Sequence, residues 1–174
     1  HRPCRYPPTA YRVATQPRIF ISSSLARWRR RSSDIASAWL SERLKVGESV
    51  SIRVPVTLRP TNQDEQETFF DLFLTESDNT ESKRPVFLRE GIIITAARSL
   101  STRRLHSMIV ISDTAMASFI RKSENPSHTE VNHSRLRFDY INHASSLLYV
   151  LRSVRQLNRL LSEADEEENF ELLS

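Results

Sequence analysis

Glycine is nearly absent from this chain: Gly47 and Gly91 are the only two in 174 residues. Loops that cradle phosphates need glycines where the backbone must approach the ligand, so a complete nucleotide pocket is excluded here. The same scarcity removes any Gly-x-Ser-x-Gly nucleophile elbow. Cysteine is limited to Cys4, which forbids an intrachain disulfide and a multi-thiolate zinc site and fits a reducing, cytoplasmic setting. The longest apolar runs, around Gly91–Ile94 and Met108–Ile111, fall far short of the roughly 20 residues a spanning helix requires, so no membrane partner is expected. The N-terminal segment has arginines but no apolar core of the signal-peptide type. The five histidines include no HExxH pair; His128 and His133 sit five apart in a polar stretch, and no metal is assigned to them.

Charge is unevenly spread. Residues 1–60 carry twelve Lys/Arg against three acids, whereas 151–174 carry three arginines against six acids. Pro3, Pro7, Pro8 and Pro17 break any periodic pattern in the first 18 residues. Two readings of the basic head stand side by side: a solvated leader, or a surface that attracts nucleic acid by counterion release through Arg27, Arg29, Arg30 and Arg31 around Trp28. His1 in place of Met, and a C-terminal Asn169–Ser174 with no helix stop, lead to the expectation that the chain is a piece of a larger protein.

Periodicity predicts the regular elements. Ser33 or Asp34 caps a helix running to about Val46, with Ile35, Ala38, Trp39 and Leu44 inward and Gly47 as its stop. Val50, Ile52, Val54, Val56 and Leu58 then alternate with polar residues, which predicts a half-buried strand, and Pro55 predicts that it lies at an edge. Thr68–Thr75 predicts an antiparallel partner whose Phe69, Phe70 and Phe73 pack in the core rather than stack on RNA bases. Residues 84–95 are expected to be extended and bent at Gly91, with Arg89 facing solvent. Leu105–Ser112 predicts a strand buried on both faces. Asp113 or Thr114 caps a short helix over 115–120, followed by a polar loop, Ser123–Glu130. A final helix over 138–162 carries an apolar face of Ile141, Ala144, Leu147, Leu148, Leu151, Val154, Leu157 and Leu161, with Arg152, Arg155 and Arg159 on another face and an acidic tail behind them. The organisation expected is a basic leader with one helix over 1–49 and an α/β domain over 50–174, a small mixed sheet with packed helices and a long C-terminal helix.

Three stretches carry a resemblance. Arg53-Val-Pro-Val-Thr-Leu58, Val86-Phe-Leu-Arg-Glu-Gly91 and Glu124-Asn-Pro-Ser-His-Thr129 resemble segments in the C-terminal part of large bacterial proteins of the GHKL (gyrase, heat-shock chaperone, histidine kinase, MutL) ATPase superfamily. The resemblance covers about residues 50–174 and implies a transducer-like domain of the ribosomal protein S5 domain 2 type. Such a domain would not be catalytic alone and would bind no cofactor by itself. It would couple ATP and magnesium, held by an N-terminal ATPase domain of the same protein, to conformational change, with a homodimer as a further expectation. In the chaperone pattern a loop arginine contacts the terminal phosphate; here His128 stands in that place, with Arg89, and with Arg121 or Lys122 as other sources of charge. Glu124, Asn125 and Thr129 complete the candidate loop. The alternative function is a nucleic-acid-binding or assembly module acting through the basic head.

Overall fold

The computed structural model describes residues 19–20, 32–76, 84–94 and 105–172. Its elements, in chain order, are β1 (Ile19–Phe20), α1 (Ser32–Lys45), β2 (Ser49–Leu58), β3 (Gln66–Glu76), β4 (Val86–Arg89), β5 (Ile92–Ile93), β6 (Leu105–Ile111), α2 (Thr114–Ser123), a 3-10 turn (His133–Leu136) and α3 (His143–Leu172). The strands form one mixed sheet in the order β1-β2-β3-β6-β4-β5. The β1–β2 and β4–β6 pairs are parallel and the others antiparallel. This is an α/β fold with a long C-terminal helix.

Alternation decides which face is covered. Val50, Ile52, Val54, Val56 and Leu58 of β2 are buried, as are Phe70, Leu72 and Leu74 of β3, and they join Ile109 and Ile111 of β6 and Phe87 of β4 in one core. Met116, Phe119, Val150, Val154, Leu157 and Leu161 from the helices complete that core. Intervening strand residues point to the other face, which no described helix covers. Among the three phenylalanines expected inside, only Phe70 is fully buried; Phe69 is half-buried and Phe73 is exposed in a register row with Met108 and Val86. β6 is likewise covered on one face rather than two, because its His106, Met108 and Val110 alternate outward. Contrary to the expectation from Pro55, β2 is not the edge strand: β1 lies outside it and pairs Ile52 and Arg53, two residues short of Pro55.

Gly91 does more than bend the chain. Glu90 and Gly91, at φ 48° and 84°, are the two turn residues of a hairpin joining β4 to β5. Positive φ at both central positions is the signature of a type I′ turn, and glycine adopts it without steric cost. Helix α2 starts where expected: the Asp113 carboxylate accepts the N–H groups of Ala115 and Met116. The same oxygen accepts the Thr68 hydroxyl, which ties the cap to β3.

Helix α3 begins later than the apolar pattern predicts. Asn142 accepts the Arg59 N–H and donates to the Thr57 carbonyl, clamping the chain to the end of β2 immediately before the helix. Phe138 and Ile141 therefore lie outside it and are exposed, and Leu148 also faces outward. Leu40 and Leu44 of α1, inside the stretch expected to be a leader, are buried in the common core. The expected caps Ser33 and Asp34 fall within α1, which starts at Ser32.

Candidate functional site

The residues that the sequence singled out converge at the C-terminal ends of β4 and α2. Arg89 shares strand parity with Phe87, so it points into the covered face and is 2% exposed, not solvent-facing as expected. Burying a guanidinium is costly unless its charge is met, and Glu124 meets it. Arg89 Nε donates to Glu124 Oε1 at 2.8 Å and Nη2 donates to Oε2 at 3.0 Å, a fork-to-fork pair. The bond to Glu124 is the main cause that raises the Arg89 pKa further, against the opposing effect of burial. Its remaining nitrogen, Nη1, donates to Glu90 at 2.9 Å.

Glu90 reaches the site because the type I′ turn places it beside its own strand neighbour. It also accepts from Arg121 in the last turn of α2, so one surface carboxylate joins hairpin and helix. The Arg121 bond, followed by a smaller contribution from Arg89, holds the Glu90 carboxyl below its ordinary pKa. Neither Glu90 nor the pairing of Arg89 was foreseen. The parity of Phe87 and Arg89 on one short strand was the available signal for the latter.

Glu124 caps the C-terminus of α2 in extended geometry, and Pro126 follows where the residue before it must also avoid helical backbone. A tight loop results. Asn125 does not merely end the helix: its side-chain oxygen accepts the N–H groups of Thr129 and Glu130, and its amide donates to the Thr129 hydroxyl at 3.0 Å. The Asn125 N–H donates to the Glu130 carbonyl, and a bridge between Glu124 and Val131 closes the base. His128 takes left-handed backbone, φ 54°, with its N–H donating to the Asn125 carbonyl. Its ring Nδ1 lies 2.5 Å from Glu124 Oε2, while 43% of its side chain remains exposed. Arg135 of the 3-10 turn donates to the Glu124 carbonyl at 3.3 Å.

Thus Arg89, Glu124, Asn125, His128 and Thr129 do form one structure, with unequal access to a ligand. Arg89 and Glu124 are internal and mutually neutralised, whereas His128 is the outward member. Arg121 is exposed but paired with Glu90, and Lys122 lies 3.2 Å from Asp139. Among the described residues, no group of three or more metal-ligating side chains comes together. His133 stacks near His143, with ring centroids 5.7 Å apart. Arg27, Arg29, Arg30 and Arg31 lie outside the described residues. Among those described, no helix is long and apolar enough to cross a membrane. Compared with known proteins, the chain matches no family model, no curated protein and no solved structure.

Proposed function

We propose that this chain is a transducer-like domain that couples ATP binding and hydrolysis, in a preceding GHKL-type ATPase domain of the same cytoplasmic protein, to conformational change. One observation carries the reading: two of the stretches that bear the resemblance, Val86–Gly91 and Glu124–Thr129, are locked together by the Arg89–Glu124 pair. A loop that senses a phosphate must be exposed at its tip and rigidly joined to the sheet at its base. The loop over 124–130 has that form, with His128 outward and Glu124 bonded into the strand. On this reading Arg89 is an anchor and not a phosphate ligand, because three bonds to carboxylates already engage its nitrogens.

ATP and magnesium would be held by the preceding domain, with this chain supplying the loop. The test compares ATP binding and turnover by the 174-residue chain with those of the protein carrying its ATPase domain. The chain alone is expected to be inactive, and the longer protein active and sensitive to loop substitutions. Turnover by the chain alone equal to that of the longer protein would overturn the coupling role.

A further inference from the structure

Helix α3 carries a second pattern besides its core face. Leu147, Val150, Val154, Leu157 and Leu161 are buried. On the opposite side Leu148, Arg152, Arg155, Arg159 and Glu163, at steps of three and four residues, form an exposed row. The backbone of α3 stays helical to Leu172, so the same spacing brings positions Glu166 and Phe170 into that row.

Each half of the row has one sign of charge. The arginines stand three and four residues apart, an arrangement in which like charges weaken a helix. Among the described residues, Arg159 donates through Nε to Glu163 at 2.7 Å, while Arg152 and Arg155 meet no carboxylate. The acidic half lies toward the C-terminus of α3, where the helix dipole is negative and the last turn holds no basic residue. Apart from Arg159 and Glu163, each half lacks the charge that the other carries, and the two cannot meet within one helix.

We propose that this row docks against the same row of a second copy of the chain, with the two α3 helices antiparallel. A twofold axis beside Arg159 sets Arg155 against Glu163 of the second copy, Arg152 against Glu166 and Leu148 against Phe170, and each contact occurs twice. Arg159 lies at the axis, where its own Glu163 matches its charge. The row from 148 to 170 is roughly 33 Å long, about six turns of helix. The resemblance implies a homodimer but gives it no surface; this surface follows from the charge order of α3 and does not rest on the coupling reading.

Two other occupants fit the row less well. A nucleic acid would meet three arginines and then, further along the same row, carboxylates that repel its phosphates. A membrane surface requires an apolar stripe to bury, and that of α3 already lies in the core. Only a surface with the reverse charge order meets both halves, and an antiparallel copy presents it.

Exposed ion pairs are individually weak, so the dimer is expected to be micromolar and to loosen at least about tenfold between low and high salt. Sedimentation equilibrium of the 174-residue chain reads this. A chain that stays monomeric up to about 1 mM at low salt overturns the proposal, and binding of duplex DNA by that monomer, lost in Arg155→Glu, would assign the row to nucleic acid instead. Arg155→Glu and Glu163→Arg, both at exposed positions, are each expected to raise the dissociation constant at least about a hundredfold, because each sets like charges together twice. Mixed one to one, the two variants are expected to form a heterodimer, since every facing pair is again opposite in sign. A mixture that stays monomeric, or a single variant that dimerises like the wild type, overturns the register. Cross-linking checks the direction without altering the 155 and 163 pair. In a Cys4→Ser background, Arg159→Cys is expected to be joined by a short bis-maleimide, while Arg152→Cys, whose two copies stand roughly 20 Å apart along the axis, is not. Equal cross-linking at both positions overturns the antiparallel arrangement, and this result decides alone if either charge variant loses its helix by circular dichroism.

Discussion

Two arginine–carboxylate pairs in this molecule have the same geometry and different surroundings. Arg53 and Asp71 meet across β2 and β3, and Arg89 and Glu124 meet between β4 and the end of α2; in each, one bond is 2.8 Å and the other 3.0 Å. The first pair sits on the sheet face opposite the core with side chains 22% and 15% exposed, and the second lies under the loop at 2% and 1%. Arg53 also covers the Phe69 ring, with its guanidinium carbon 3.8 Å from the ring centroid. Hydrogen-bond lengths alone would rank the pairs as equals. Burial separates them, because water screens the first and compensates either partner if the other is lost, whereas the second is shut off from water and is left, if one partner goes, with Glu90 beside the arginine or His128 beside the carboxylate.

The largest effect is expected from Arg89→Ala. It leaves Glu124 buried without its cation and is predicted to cost about 3–5 kcal/mol in urea unfolding. Replacing both partners, Arg89→Met with Glu124→Leu, is predicted to recover most of that loss, since a well-packed apolar pair avoids the desolvation of two charges. A double variant as unstable as the single one would show that the shape of the ion pair, and not an uncompensated charge, sets the cost.

A smaller effect is expected from Arg53→Ala: about 1 kcal/mol for the partly exposed pair and the ring contact together. High salt should shrink it, as it would not for Arg89. Equal losses from Arg53→Ala and Arg89→Ala would erase the distinction between the pairs.

The smallest concerns Glu90, the half-exposed carboxylate that ties the hairpin to α2. Its pKa in the folded state is lowered, first by the Arg121 bond and then by Arg89. Its contribution is therefore complete above the ordinary carboxylate pKa and is lost as pH falls through the lower folded value. Glu90→Gln should flatten the acid limb of stability against pH in that window. An unchanged limb would assign acid sensitivity to other carboxylates.

Much of the fold was legible in the chain because its strands are amphipathic. The alternation of Val50 to Leu58, the antiparallel partner over 68–75, which the structure extends to Gln66–Glu76, and the Asp113 cap follow from local patterns, which need no knowledge of distant contacts. Errors arose where a distant contact outweighed the pattern. Ile141 fits the helical period of α3, yet Asn142 is clamped to Arg59 and Thr57, so the helix starts beyond it. Phe73 is apolar enough for a core, but alternation places it on the face that no described helix covers.

At the candidate site, the sequence by itself determined the composition and two breaks in the chain: a bend at Gly91, and a polar loop in which Pro126 forbids continuation of α2. Those are consequences of backbone sterics and hold wherever the segments lie. Only the tertiary structure decided that Arg89 would be an internal anchor, that Glu124 would be shared between it and His128, and that His128 would be left as the outward group. The reason is electrostatic. An arginine turned into a core requires a carboxylate from another element, and the choice of Glu124, 35 residues further along the chain, depends on the pairing of β4 with β6 and the direction of α2.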